Sequence, residues 1–185
     1  MNDYEKQWIT AAIINKDRRF FGYLVKEHQS AVRGYLRRLS KGDFALADDL
    51  AQETFLLAYR KISTFKAKGS FKAWLFSIAY RSFLQHIRKN STNPLMSFPT
   101  ETLEEAEIED NSGTDISVKI DLEKAISKLN KNERSVLTLS FSYGMSHSEI
   151  SDIMSMPLGT VKSHHTRGKT NLKKVLSSTK MVTAC

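Results

Sequence analysis

Apolar residues recur at three- and four-residue steps along the first half of the chain, which is the spacing of one buried helix face. The first segment predicts a helix from residue 20 to 39 whose inward positions are Phe21, Leu24, Val25, His28, Val32, Tyr35, Leu36 and Leu39. Gly42 suits a helix C-terminus and Asp43 can cap the next helix, so the pattern breaks there.

A second helix is predicted from Ala45 to Ile62, with an inward stripe of Leu46, Leu50, Ala51, Thr54, Leu57, Ala58 and Ile62. Its other side is acidic, and the pattern predicts an exposed edge formed by Asp48, Asp49, Gln52, Glu53 and Phe55. Favourable interaction with the helix dipole explains acids in the first turn, but it does not explain an exposed phenylalanine.

A basic loop from Phe65 to Phe71 precedes a third predicted helix, from Lys72 to Asn90. Its buried side is predicted to hold Phe71, Leu75, Ile78, Ala79, Ser82 and Ile87. Four further aromatics alternate with cations along the same helix: Trp74, Phe76, Tyr80 and Phe83. Such rings either enlarge the core or stack on unpaired bases, and the pattern leaves both interpretations open.

The last third of the chain predicts a helix, a turn at Tyr143-Gly144, a short helix, a turn at Met156-Pro157 and a long basic helix. This is the plan of a DNA-reading helix-turn-helix. The long helix is predicted to bury Leu158, Val161, Leu172 and Leu176, and to expose Thr160, Lys162, Ser163, His164, Thr166, Arg167 and Lys169. Glycine at 168 costs ~1 kcal/mol relative to alanine within a helix, so we expect a bend or close packing there.

Charge is distributed unevenly. The chain has 28 Lys+Arg and 20 Asp+Glu, a formal net charge of +8. Residues 1–90 and 119–185 are both basic, whereas residues 91–118 contain no Lys or Arg and 7 acids. Two cationic blocks favour two modules that face nucleic acid, although solvated lysine faces on a soluble protein remain an alternative. The acidic connector is predicted to form little stable structure.

Composition argues against several other classes. No apolar run reaches the ~18–20 residues of a membrane span, and no signal peptide opens the chain, so a cytoplasmic location is expected. The single cysteine is Cys185, which excludes a disulfide within the chain. His164 and His165 point about 100° apart on a helix and cannot chelate together. We expect no catalytic residue, no cofactor and no metal.

At this point the residues resemble a known family. The segment DDLAQETFLLAYRKISTFKAKGSFKAWLFSIAYRSFLQHIRK resembles the second conserved domain of bacterial sigma factors. The pattern L-x-x-x-E-R-x-V-L from Leu129 to Leu137, with GMSHSEISDIMSMPLGTVKSHHTRGKTNLK after it, resembles the fourth domain. With a short connector, the whole resembles an extracytoplasmic-function (group IV) RNA polymerase sigma factor of the sigma-70 superfamily.

The resemblance implies an all-α fold of two small helical domains joined by a flexible acidic linker. The implied organisation is an N-terminal extension at 1–19, sigma domain 2 at 20–90, the linker at 91–118, sigma domain 4 at 119–178 and a tail at 179–185. Implied partners are core RNA polymerase (the large-subunit coiled coil and the flap), promoter DNA and an anti-sigma factor. No small-molecule substrate and no stable membrane insertion are implied. The protein would be nucleoid-associated in holoenzyme, or held at the membrane by an anti-sigma factor.

Site residues follow from the resemblance, position by position. Binding of core polymerase falls on Asp48, Asp49, Gln52, Glu53 and Phe55. Binding of the −10 promoter element falls on Lys66, Lys68, Gly69, Ser70, Phe71, Lys72, Trp74, Tyr80, Arg81, Arg88 and Lys89. Binding of the −35 element falls on Pro157, Leu158, Thr160, Lys162, Ser163, His164, Arg167 and Lys169. The stretch from His164 to Gly168 departs from the arginine-rich run of many relatives.

Three alternatives remain. The helix-turn-helix also resembles that of LuxR-type regulators, but such proteins usually add a receiver or ligand domain, and residues 1–90 show only helical periodicity. An enzyme acting on nucleic acid would need clustered carboxylates or His/Cys ligands, and the five histidines show no such spacing. An adaptor that binds only proteins would differ by lacking salt-sensitive DNA association.

Overall fold

The fold was determined as a computed structural model that describes residues 3–14, 17–67, 69–91 and 116–182. Regular structure within these ranges is entirely helical, which confirms the predicted fold class. The helices are α1 (Asp3–Ile14), α2 (Arg18–Leu39), α3 (Phe44–Lys61), α4 (Phe71–Ser91), α5 (Ile116–Ser127), α6 (Lys131–Leu137), α7 (His147–Met154) and α8 (Leu158–Val182). A 3-10 turn spans Ile62–Thr64 and a π-helical segment spans Thr138–Ser142. Most of the acidic connector lies outside the described residues.

The N-terminal half packs α2, α3 and α4 around the predicted apolar stripes. Every inward residue predicted for α2 is buried except Val25, which is half-buried. The side chain of Asp43 accepts a hydrogen bond from the backbone N–H of Leu46 at 2.9 Å, so it caps α3 as predicted. Gly42 ends the α2 turn at a φ of 94°, a conformation that favours glycine.

Helix α1 lies against α2, a contact that no sequence pattern predicted. Ile9 and Ala12 are buried beneath it. Glu5 and His28 form a buried pair, with 2.8 Å between Glu5 Oε1 and His28 Nε2. Helix α1 is therefore anchored to α2 by a polar contact inside an apolar interface.

Helix α4 buries more aromatic surface than one stripe requires. Phe71, Leu75, Ile78, Ala79 and Ser82 are buried as predicted, and Ile87 is half-buried. The additional rings of Phe76, Tyr80 and Phe83 are also buried in the described structure, where Phe76 and Tyr80 lie against residues of the C-terminal half. Trp74 is half-buried and packs beside Phe65 and Phe71.

The C-terminal half contains the predicted helix-turn-helix. Ser146 and Glu149 form a reciprocal capping box at the start of α7. Ser155 adopts a left-handed φ of 52° between α7 and α8. Val161 is buried as predicted, whereas Leu158 is 43 % exposed. The predicted stripe was wrong at Leu158, because this residue begins α8 at the turn, before the helix reaches the body of its domain.

Gly168 explains how α8 packs. A Cβ at this position would lie 3.1 Å from both Cγ and Cδ1 of Leu137 and 3.2 Å from Cβ of Glu133. Helix α8 continues through residue 168 without interruption. Of the two expectations stated for this glycine, close packing is the one observed.

The two halves contact each other directly, and their apolar residues form one continuous cluster. Tyr35 on α2 shares a 2.6 Å hydrogen bond with the hydroxyl of Ser135 on α6. Tyr143 donates a 2.9 Å hydrogen bond to the backbone carbonyl of Ala31 on α2. Arg38 Nε donates to Glu123 Oε1 on α5 at 2.9 Å. The domains are therefore closed on one another in this structure.

Candidate nucleic-acid interface

The first turns of α8 present a cationic surface. Val161 and Gly168 fix the inward side of the helix, and at 100° per residue Lys162 and Ser163 face away from that side. Lys162, Ser163, Arg167 and Lys169 are all exposed, as is Pro157 just before the helix. Thr160 is half-buried, and Leu158 is exposed beside this surface. Side chains placed in this way can reach base edges and phosphates of duplex DNA.

The two adjacent histidines of α8, His164 and His165, have different environments. His164 is half-buried, and its Nδ1 atom is buried with no hydrogen-bond partner in the described part of the chain. His165 stacks on Phe141 with 5.5 Å between ring centroids and meets the edge of His147 at 4.8 Å. Burial, with help from the nearby His147 and Lys169, lowers the pKa of His165. His165 therefore joins α8 to the preceding segments, a role that the sequence did not reveal.

The basic loop before α4 is supported from beneath by aromatic rings. Lys66 and Gly69 are exposed, and Lys68 lies outside the described residues. Ser70 is half-buried, and its hydroxyl accepts a 3.1 Å hydrogen bond from the N–H of Ala73 at the start of α4. Phe71 is only 1 % exposed and packs against His28, Phe65 and Trp74. In this structure Phe71 offers no free ring face to a base, because it anchors the loop to the core.

The outer surface of α4 divides into two parts. Arg81, Arg88 and Lys89 are exposed to solvent. Lys72 instead lies over the ring of Tyr143, with 5.1 Å between its Nζ and the ring centroid. Tyr80 is 2 % exposed, its hydroxyl faces Oδ1 of Asn132 at 3.4 Å, and burial raises its pKa to about 12. The closed arrangement therefore covers two residues of the predicted −10 set.

Helix α3 carries the predicted acidic edge in a modified form. Asp49, Gln52 and Glu53 are exposed, and Asp48 is exposed but lies 3.2 Å from Nε of Arg33. The predicted exposure of Phe55 was wrong: its ring is half-buried against the core.

The exposed apolar residue of this edge is Leu56, at 61 %. Leu56 follows Gln52 by four positions and Glu53 by three, so it shares their face. That spacing was the signal in the sequence that could have identified it.

Metal sites and membrane-spanning helices are absent from the described ranges. No group of three or more His, Cys, Asp or Glu side chains there is arranged to hold a metal ion. Among the helices of the same ranges, none combines the length and apolar character needed to cross a membrane. The surfaces that stand out are therefore the cationic and acidic faces described above.

Known proteins match this arrangement in sequence. The family model of Sigma-70 region 2 matches residues 24–92, and that of Sigma-70 region 4 matches residues 119–172. The ECF RNA polymerase sigma-E factor of Haemophilus influenzae is 30 % identical over 169 residues, which cover 83 % of this chain and 85 % of that protein. The chain belongs to the extracytoplasmic-function (ECF) sigma factors.

Other sigma factors also match most of this chain, in sequence or in structure. The RNA polymerase sigma-H factor of Pseudomonas aeruginosa is 29 % identical over 184 residues, covering 93 % of this chain and 94 % of that protein. Among solved structures, the sigma factor RpoE in complex with the anti-sigma factor NepR from Bartonella quintana superposes with a TM-score of 0.71 at 25 % identity, covering 85 % of this chain and 96 % of that one.

The chain therefore functions as an alternative sigma factor, which directs promoter recognition and transcription initiation. The LuxR alternative finds no support among these relatives.

Proposed function

We propose that this sigma factor divides promoter recognition between its two halves, with residues 20–90 serving as sigma domain 2 and residues 119–178 as sigma domain 4. Domain 2 binds core RNA polymerase and captures unpaired −10 bases, and domain 4 reads the −35 element as duplex DNA. The chain itself has no catalytic role, since the polymerase synthesises the RNA. The observation that carries this proposal is the exposed cationic surface of α8, which Val161 and Gly168 hold outward.

Recognition of the −35 element rests on the side chains that α8 presents. Lys162 and Arg167 supply charge to phosphates or to guanine edges, and Ser163 supplies a hydroxyl that either donates or accepts. Pro157, Leu158 and Thr160 lie at the helix start, where apolar contact with a thymine methyl group is possible. Lys169 completes the positive surface about two turns beyond Lys162. His164 is the weakest member of the set, because it is half-buried against its own domain.

Recognition of the −10 element rests on the basic loop and on α4. Arg81, Arg88 and Lys89 hold the DNA backbone, and Trp74 offers a partly accessible ring. Flipping a base costs a few kcal/mol, and stacking on an aromatic ring returns ~1–3 kcal/mol per base. Melting is then driven by capture of the open strands. Lys72 and Tyr80 join this surface only when domain 4 has moved away.

Docking to core polymerase rests on the acidic edge of α3. Asp49, Gln52 and Glu53 are available at once, whereas Asp48 exchanges Arg33 for a partner on the polymerase. Leu56 adds apolar area that can form the centre of an interface, with these polar and acidic residues at its rim. Phe55 supports the edge from within.

Regulation and location follow from the same comparison. The Bartonella quintana relative was solved bound to an anti-sigma factor, and we expect an anti-sigma factor to bind this chain as well. Because polymerase and promoter DNA are its partners, the protein acts in the cytoplasm, on the nucleoid.

Run-off transcription tests the proposal most directly. Purified chain and core RNA polymerase are incubated with fragmented genomic DNA, and new start sites are mapped. We expect start sites that share two sequence elements. Absence of any directed transcription, or failure to bind core polymerase, would refute the proposal.

Point variants then test the two DNA-binding roles separately. Lys162→Ala should weaken binding to duplex −35 DNA and reduce the salt dependence by about one counterion, whereas Lys26→Ala, an exposed lysine on α2, serves as the matched control. Arg81→Ala should impair promoter opening on duplex templates and be largely rescued on pre-melted ones. Equal defects of Arg81→Ala on both templates would argue against base capture by domain 2.

A further inference from the structure

The turn residue Tyr143 packs into a small depression on the N-terminal half of the molecule, which we call its seat and which is formed by Ala31, Gly34 and Phe76. Its hydroxyl donates to the carbonyl of Ala31 at 2.9 Å, and its ring lies 4.8 Å from the ring of Phe76. The floor of this seat is Gly34 on α2, where a Cβ would lie 2.9 Å from the Tyr143 hydroxyl. Even the smallest side chain at position 34 would therefore force the Tyr143 hydroxyl to shift, and a long side chain would compete with the tyrosine for the same space.

The seat lies next to the surface that domain 2 needs for DNA. Lys72 Nζ is 5.1 Å from the centroid of the Tyr143 ring, and the hydroxyl of Tyr80 faces Asn132 on α6. Both Lys72 and Tyr80 belong to the predicted −10 set. While Tyr143 is seated, domain 4 occupies the part of α4 on which these residues lie.

We propose that Tyr143 is a latch, and that the free sigma factor is held closed and autoinhibited by its insertion over Gly34. The proposal rests on the assignment of the −10 and −35 roles given above. Binding of DNA through both domains then requires the latch to be released, and release uncovers Lys72 and Tyr80.

The spacing of the two promoter elements also requires the two halves to separate, whatever the roles of Lys72 and Tyr80. The −10 and −35 elements lie about 25 base pairs apart, as their names indicate. At ~3.4 Å per base pair of B-form DNA, this is a distance of ~85 Å. A compact chain of 185 residues has a radius of gyration of about 16 Å. The closed molecule is too small to place one domain on each element, so the two halves must separate before both are read.

Each contact that holds the closed state can be replaced by a contact with water, polymerase or DNA. The Tyr143 hydroxyl can return to water, and Lys72 exchanges a tyrosine ring for a phosphate or a base. Arg38 and Glu123, at the edge of the same interface, form an ion pair that is partly exposed. Core polymerase or DNA thus competes for groups that the closed state already satisfies, which makes opening dependent on a partner.

Two glycines of α2 allow a matched test. Gly34→Gln places a side chain in the seat, and Gly22→Gln places the same side chain where no atom lies within 4 Å. Both substitutions favour the helix, so neither opens the molecule by unfolding α2. Small-angle X-ray scattering of the free full-length chain then measures the closed fraction.

We expect the wild type and Gly22→Gln to share one compact radius of gyration, and Gly34→Gln to exceed it by at least about a quarter, as tethered but separated halves would. Binding of a fluorescein-labelled 20-nucleotide oligo(dT) strand should tighten several-fold in Gly34→Gln alone, because Lys72 and Tyr80 become available. Tyr143→Phe, which keeps the ring and loses the hydroxyl, should give an intermediate result.

The outcomes separate the latch from the proposed function. An extended wild type, or a Gly34→Gln variant as compact as Gly22→Gln, overturns the latch whatever transcription shows. Opening of Gly34→Gln without any gain in oligonucleotide binding overturns autoinhibition. If wild type and both variants all fail to direct core polymerase while scattering shows the expected opening, the promoter roles fail and the conformational latch stands.

Discussion

Gly168 gives the sharpest prediction about stability. Replacing a glycine by alanine within a helix gains ~1 kcal/mol of intrinsic propensity. At position 168 the new methyl group would lie 3.1 Å from two carbons of Leu137 and 3.2 Å from Cβ of Glu133. Both neighbours are buried, and Glu133 accepts a hydrogen bond from Asn171, so neither can move freely. Overpacking of this kind costs typically ~1–3 kcal/mol.

With a steric cost near the middle of that range, we expect Gly168→Ala to lose about 1 kcal/mol of unfolding free energy. This corresponds to a fall in Tm of about 2–4 °C for a chain of this size. Gly159→Ala is the control, because it lies on the same helix with no atom within 4 Å and should be neutral or stabilising. Urea and thermal unfolding followed by circular dichroism measure both. If Gly168→Ala raised Tm as much as Gly159→Ala, the close approach of α8 to α6 would not be what fixes the recognition helix.

Three other contacts give measurable expectations. His28→Ala removes a buried hydrogen bond to Glu5 and a ring contact with Phe71, and should cost ~1–3 kcal/mol with earlier proteolytic cleavage in α1; unchanged cleavage would contradict the anchoring role. The lowered pKa of His165 means that the fold favours its neutral form, so stability is retained above pH ~6.5 and falls on acidification below it. His165→Asn should flatten that dependence in urea midpoints measured from pH 5 to 8, and an unaltered profile would refute the assignment. Leu56→Ala should weaken core-polymerase binding by about 1 kcal/mol, whereas Leu122→Ala, which also removes an exposed leucine, should not; equal effects would exclude a specific contact at Leu56.

Local pattern was a good guide wherever one helix face decides burial. The stripe of α2, the Asp43 cap and the break at Gly42 depend on residues within a few positions of each other. The wrong prediction for Phe55 and the missed exposure of Leu56 have a common cause. Phe55 and Leu56 are adjacent apolar residues at the border of one stripe, and about 100° of helix rotation decides which of them faces the core.

The contact between the halves could not be read from local pattern. Tyr35 and Ser135 are separated by a hundred positions, and neither residue type signals a partner at that distance. Tyr143 is recognisable in the sequence only as part of a turn. The resemblance to sigma factors supplied roles for Lys72 and Tyr80, but roles assigned for a DNA complex do not say whether the same residues are accessible in the free protein.

The shared core has a consequence for the lifetime of the open molecule. When the halves separate, the faces of Tyr35 and Phe76 that now contact Tyr143 are transferred from the cluster to water. Exposed aromatic surface of this kind promotes self-association and attack by proteases. An open sigma factor is therefore durable only while polymerase or another partner covers that surface. Overproduction of an open variant such as Gly34→Gln should therefore yield less monomeric protein than the wild type unless core polymerase is produced with it, so the supply of partner limits the pool of active molecules.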